Sequence, residues 1–289
     1  MKIKILIPVY NDWQSVYKLL ESINSEVSSL DHKFSVIIVN DASTEANPGL
    51  SNNLDNLNSI KIINMKENRG HARCNAAGLK HIFENEEFDY VIPMDGDGED
   101  RPEEIKKLVD NLNYHPDKPI VGERIKRSEG IFFKFCYFVH KIITFTFTGQ
   151  SIKYGNYTCL PKIIVEKMIN EKATWSSFSG SLAKVAKNRA PVPSERGTRY
   201  FGPSKMSFKN LIIHSLSIVS VFKINVLIRS IMFLLVYMFL IHQNISVIML
   251  IPIPLIILLI IMVFYISKRE SLDEINNSQI NISNIDNIK

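Results

Sequence analysis

Residues 88–104 read FDYVIPMDGDGEDRPEE: an apolar run, Tyr90-Val91-Ile92, breaks into six residues holding four carboxylates, Asp95, Asp97, Glu99 and Asp100. Pro102, Glu103 and Glu104 follow and open a helix, because proline suits the first helical position and acids suit the positive end of the dipole. A buried strand thus delivers a cluster of carboxylates to a sheet edge. Crowded carboxylates repel one another unless a cation sits among them. Asp95, Asp97 and Glu99 alternate, so an extended backbone would point them the same way. Hard oxygen ligands select Mg²⁺ or Mn²⁺. An acidic turn can also be a plain solvated loop, and an EF-hand begins similarly. The calcium loop fails here: Asp100 stands where it needs glycine, and Lys106 where it needs a bidentate acid.

Upstream, the same pattern recurs. Ile3–Val9 reads as a buried strand ending at Pro8-Val9-Tyr10-Asn11-Asp12. Trp13, Val16, Leu19, Leu20, Ile23 and Val27 follow at helical spacing, capped by Asn11 or Asp12. Phe34–Val39 is a second strand, ending in Asn40-Asp41-Ala42-Ser43-Thr44, and Ser59–Asn64 a third. Asn68-Arg69-Gly70-His71-Ala72-Arg73 then opens a helix to about Phe83, and residues 119–121 make a further strand before Gly122-Glu123-Arg124. This alternation predicts an α/β fold with a parallel sheet covered on both faces. Asn and Asp favour turns anywhere. Four successive strands ending in polar residues, however, gather Tyr10, Asp12, Asp41, Arg73, Asp95 and Asp97 into one crevice at the carboxyl edge, where open α/β sheets bind ligands.

The 289 residues carry a net charge of +5, which suits phosphates, anionic lipid or nucleic acid alike. Cys74, Cys136 and Cys159 are scattered and form neither a CxxC pair nor a disulfide framework, which fits a reducing compartment. The apolar start is cut short by Pro8 and Asp12, too early for a signal peptide.

Residues 130–150, GIFFKFCYFVHKIITFTFTGQ, are too polar to span a bilayer and read as an interfacial or core helix. Residues 206–221 form a second such segment. Residues 226–242 are apolar apart from Arg229, and 245–266 are uncharged for 22 residues. A span needs about 20. The pair reads as a transmembrane hairpin, with Lys223 and Arg229 before it and Lys268 and Arg269 after it. That charge distribution puts the catalytic part in the cytosol. The expected domains are 1–205, catalytic; 206–224, a juxtamembrane amphipathic helix; 225–267, the hairpin; and 268–289, a disordered, Asn- and Ser-rich tail.

Four blocks, PVYND (8–12), VNDAS (39–43), NRGHAR (68–73) and MDGDGEDRPEE (94–104), together with RYFGPSKM (199–206), resemble the family 2 glycosyltransferases of GT-A fold. The likeness is strongest to the polyprenyl-phosphate type, such as dolichol-phosphate mannose synthases, and covers roughly residues 3–215. It implies a Rossmann-like nucleotide-diphospho-sugar transferase domain with juxtamembrane helices and a C-terminal hairpin. Pro8, Tyr10 and Asp12 would line the base and ribose, Asp41 would bind one of them, and Arg73 would join the donor site. Asp95, Asp97 and Glu99 would hold Mg²⁺ or Mn²⁺ on the diphosphate; Glu99 stands where many relatives have Gln. Arg124, Lys134, Arg199, Ser204 and Lys205 would meet phosphates of donor or acceptor, with Asp95, Asp97 and Arg124 central to catalysis. Lys126 and Arg127 would extend a cationic rim.

The implied reaction is inverting transfer from a nucleotide-sugar, UDP- or GDP-linked. A hydroxyl acceptor needs a general base, whereas a phosphate monoester is already anionic. Residues 172–194 contain no acid, which favours a polyprenyl phosphate over a lipid-linked saccharide. Asp100 is the other base to weigh. A catalytically silent membrane partner protein is the remaining alternative. The expected partners are donor, lipid acceptor and bilayer, with no nucleic acid; membrane hairpins often pack against copies of themselves, which leaves a homo-oligomer open.

Overall fold

A computed structural model of the protein describes residues 1–50, 52–126, 131–203, 207–243 and 245–289. The chain divides into two units. The first comprises Met1–Ser128, Lys153–Lys205 and Ser271–Lys289; the second comprises Glu129–Ile152 and Met206–Glu270.

The first unit is built on β1 (Lys2–Val9), α1 (Trp13–Val27), β2 (Lys33–Asn40), β3 (Leu57–Met65), α2 (His71–Asn85) and β4 (Tyr90–Pro93). After them come α3 (Ile105–Asp110) and β5 (Ile120–Lys126). β1 and β2 are near-continuous apolar runs because both faces are covered: Ile3, Ile5, Leu6, Ile7, Phe34, Val36 and Ile38 are all fully buried. α1 contributes the Trp13, Val16, Leu19, Leu20, Ile23 and Val27 face that its spacing predicted. β1 lies between β2 and β4, parallel to both. The chain therefore steps one way from β1 to β2 and β3 and later returns to its other side. That reversal opens a crevice at the carboxyl edge between β1 and β4.

The sheet is mixed rather than wholly parallel. α4 (Ile131–Thr148) belongs to the second unit, and the chain then re-enters the first at β6 (Thr158–Pro161), antiparallel to β4 and β5. α5 (Lys162–Ile169), α6 (Phe178–Val185) and β7 (Ala190–Glu195) follow, β7 lying parallel to β5 at the sheet edge.

The second unit also holds α7 (Phe208–Ser220), α8 (Lys223–Ile241), α9 (Val247–Leu250) and α10 (Pro252–Ser267). α8 and the apolar stretch beginning at Val247 are long and apolar enough to cross a membrane, the two candidate spans of a hairpin. The second is interrupted at Ile251, because Pro252 has no N–H to donate and its ring crowds the preceding turn. Within this unit, Arg229 donates to Thr146 O at 3.0 Å and Asn225 to Thr148 O at 3.2 Å, so α8 caps the last carbonyls of α4.

The expectation of a disordered tail is corrected. After α10 the chain forms α11 (Leu272–Asn276) and β8 (Ile282–Asn287), which pairs antiparallel with β3. Without β8 the outer edge of β3 would expose unpaired backbone groups, and the tail satisfies them while burying Ile275.

Candidate active site

The acid cluster leaves β4 through a turn built on two glycines. A Cβ on Gly96 would stand 3.0 Å from Pro8 O, so a side chain there would crowd the turn against the end of β1. Gly98 has φ +87° and the Tyr200 ring against it, so a side chain there would be both strained and blocked. Glu99 N donates to Asp97 Oδ1 at 3.0 Å, closing the turn. The backbone is therefore not extended, and the expected alignment of Asp95, Asp97 and Glu99 does not occur. Among the described residues no three His, Cys, Asp or Glu side chains converge as a metal-ligand set.

Arginines divide the cluster instead. Arg199 donates from Nη1 to Asp97 Oδ2 and from Nη2 to Asp12 Oδ2, each at 2.6 Å. Arg196 pairs with Glu99. The loop bearing both arginines is pinned to the acidic turn by Gly197 N to Glu99 O at 2.8 Å and Tyr200 N to Asp97 O at 2.9 Å. Asp12 also accepts Ser15 Oγ at 2.6 Å. Asp95 Oδ1 accepts Asn156 Nδ2 at 3.1 Å and faces His71 Nε2 at 3.3 Å, while its backbone N–H donates to Asp100 Oδ2 at 2.9 Å. Arg124 Nη2 lies 4.0 Å from Asp100 Oδ1.

Burial and mutual repulsion set the protonation of these groups. Burial, reinforced by the charge of Asp95, pushes Asp97 up to about 6 and Asp100 up to about 8, against the pull of Arg199 and Arg124 respectively. Burial acts on Asp95 too, but His71, Arg124 and Asn156 outweigh it and hold that carboxyl below the usual range. His71 is raised: desolvation opposes its charge, and Asp95 more than compensates. Two neighbouring acids that bind protons near neutrality mark a surplus of negative charge, which a divalent cation relieves. Asp95 and Asp97 offer the hard oxygen donors that Mg²⁺ or Mn²⁺ takes, though here Asn156, Arg199 and Glu99 N occupy them.

The other predicted residues separate. Pro8 is buried in β1, and Tyr10 is exposed at its end. Asp41 is 4 % exposed and accepts Arg69 N and Gly70 N, each at 2.8 Å, so its oxygens face the start of α2 rather than open space. Arg73 lies over the Trp175 ring, 5.9 Å from its centroid, and donates to Arg69 O. Arg127, Ser204 and Lys205 fall outside the described residues, as do the side chains of Lys126 and Lys134. Sequence reasoning gave no role to His71, Asn156, Arg196 or Tyr200. His71 lay within a quoted block, but Asn156 carried no signal.

A model of the family described as "Glycosyl transferase family 2" matches residues 4–163. The undecaprenyl-phosphate 4-deoxy-4-formamido-L-arabinose transferase of Klebsiella pneumoniae (strain 342) is 28% identical over 222 residues, 73% of this chain and 64% of that protein. Its counterpart in Salmonella choleraesuis (strain SC-B67) is 28% identical over 221 residues, with the same coverage. The chain thus spans a little under two thirds of the length of these relatives. Among solved structures, glucosyl-3-phosphoglycerate synthase of Mycobacterium tuberculosis, in complex with Mn²⁺, UDP-glucose and phosphoglyceric acid, superposes with a TM-score of 0.55 at 13% identity, covering 78% of this chain and 79% of that one. S. aureus TarS (1–349) with UDP-GlcNAc gives 0.51 at 15%, covering 80% and 70%. At such identities the likeness is one of fold. The matched span contains the crevice-forming strands β1 to β4 and the first four sequence blocks, so the acidic turn stands in its family context: this chain belongs to glycosyl transferase family 2.

Proposed function

We propose that the protein is a membrane-anchored inverting glycosyltransferase that moves a sugar from a nucleotide-sugar to a polyprenyl phosphate at the cytosolic leaflet. The observation that carries the reading is the Asp12–Arg199–Asp97 bridge beside Asp95, at the point where the sheet reverses direction. The names of the similar transferases support a lipid-phosphate acceptor. The two apolar helices support a chain that works at a bilayer, where such a lipid resides.

In this reading Tyr10 and Asp12 line the base and ribose, and Asp41 acts from behind by holding the start of α2. Asp95 and Asp97 hold the cation; when bound, it supplies Lewis-acid stabilisation of the charge that develops on the departing nucleoside diphosphate. Arg199 and Arg124 supply positive charge for phosphates of donor and acceptor, with Lys134, Ser204 and Lys205 proposed on the acceptor side. An acceptor phosphate oxygen attacks the anomeric carbon from the face opposite the diphosphate, the bond to the diphosphate breaks, and the configuration inverts. No proton has to be removed from a phosphate monoester. This matters because Asp100, the carboxyl best suited to hold a proton at neutral pH, is 5 % exposed and turned toward Asp95 N.

The test uses the full chain in detergent with Mn²⁺, UDP- and GDP-sugars, and either polyprenyl phosphate or a lipid-linked saccharide. Transfer to polyprenyl phosphate, abolished by Asp97→Ala, is the expected result. Transfer to the saccharide alone would replace the acceptor assignment. Absence of metal-dependent affinity for any nucleoside diphosphate would overturn the reading.

A further inference from the structure

Residues 271–289 follow both candidate spans in sequence, yet they are part of the first unit. They attach at two places that have no need of each other. Backbone bonds knit β8 to β3 and continue past it, with Ile288 N donating to Ile60 O at 2.8 Å and Lys66 N to Asn281 O at 2.8 Å. On α2, Gln279 meets His81 at 3.0 Å and Lys80 reaches Asn276 at 3.3 Å. These contacts would suffice to cover a sheet edge. The tail does more, because two polar chains run from it to the crevice.

The first chain starts at Asp286. Its Oδ2 accepts Asn64 Nδ2 at 2.7 Å, and Asn64 Oδ1 accepts Asn40 Nδ2 at 2.8 Å. Asn40 Oδ1 accepts Ser43 N at 3.0 Å, and Ser43 Oγ accepts Asn11 N at 2.9 Å. It thus ends in the turn after β1, beside Tyr10 and Asp12. The second chain starts at Glu274, which pairs with Arg69. The backbone N–H groups of Arg69 and Gly70 hold Asp41, and the next residue is His71, which faces Asp95. Both chains end in turns that need support. Asn11 and Ala42 hold φ of 49° and 54°, a left-handed conformation that non-glycine residues keep only when their surroundings enforce it.

We infer that Glu274 and Asp286 are positioning residues of the nucleotide crevice, holding the turns after β1, β2 and β3 in the shape that receives a nucleoside diphosphate. The inference rests on reading the crevice as the donor site. Neither residue touches the ligand; each acts through Arg69 or through Asn64 and Asn40.

The experiment compares full-length wild type, Glu274→Ala, Asp286→Ala and Asp286→Asn in detergent, with UDP or GDP plus Mn²⁺ as the probe. Loss of one link raises the dissociation constant by about fivefold in each alanine variant. Asp286→Asn keeps an acceptor for Asn64 and stays within about twofold of wild type. The amides of Ser43, Arg69 and Gly70 exchange with deuterium about tenfold faster in the alanine variants, with β1 amides unchanged. A tail that merely covers the edge predicts otherwise: a lower melting temperature, with nucleotide affinity of the folded protein and exchange at these amides both at wild-type values. That result overturns the inference. If wild type binds neither nucleotide, the donor-site reading fails, and the exchange rates alone decide whether the tail shapes the turns.

Discussion

Arg199 holds two carboxylates, Asp12 and Asp97, that enter the crevice from different strands, so one guanidinium does by charge what the expected row of ligands was to do by alignment. The planar fork suits this task, since each nitrogen meets its own oxygen. Acids still outweigh their partners in this region, and stability should reveal it. Asp100 binds its proton more tightly folded than unfolded, so it stabilises the fold in acid, and that contribution disappears as pH rises through about 8. Asp97 behaves likewise through about 6. In Asp100→Asn the amide cannot ionise. Its melting temperature, measured without metal, should therefore gain on wild type as pH rises from about 4 to about 8 and hold steady above that; a constant difference throughout would contradict the assignment. The crowding of Asp95 and Asp97 at a strand end was legible in the sequence, because four acids within six residues stand out; the arginines that divide them were not. Asn156 was not, because it reaches Asp95 from 61 residues away and a lone turn asparagine has no periodicity to betray it.

At the scale of elements, strands ending in polar turns were readable because β1 and β2 are near-continuous apolar runs with abrupt ends. β7 was not. Pro191 and Pro193 interrupt it, and a strand with two prolines survives only at a sheet edge, which is where β7 lies. The opening of α2 was legible as a motif, but its mechanism was not. Asp41 reads as a ligand-facing acid, yet it spends both oxygens on Arg69 N and Gly70 N. Its removal leaves two backbone donors unmet in a buried place. Asp41→Ala should therefore cost about 2 kcal/mol, read as a shift in the denaturant midpoint. Asp41→Asn, with one acceptor oxygen left, should fall between the two. An unchanged midpoint in Asp41→Ala would return this residue to direct ligand contact.

For the whole molecule, the tail carries information that composition concealed. Its Asn- and Ser-rich sequence lacks the alternation of a strand; β8 takes its register from the edge of β3, a partner more than 200 residues earlier that no local pattern names. Since the tail belongs to the first unit, the proposed hairpin would leave and return on one side of a membrane. Tags appended at Met1 and Lys289 should be equally accessible from one face of sealed vesicles; opposite accessibility would exclude a two-span hairpin. The pairing of β8 with β3 also orders events during synthesis. Residues 282–287 are made more than 200 residues after the strand they pair with. Until then the outer edge of β3 has no neighbour, so a fragment that stops short of residue 282 presents a ready template for another strand and should self-associate where the longer chain does not.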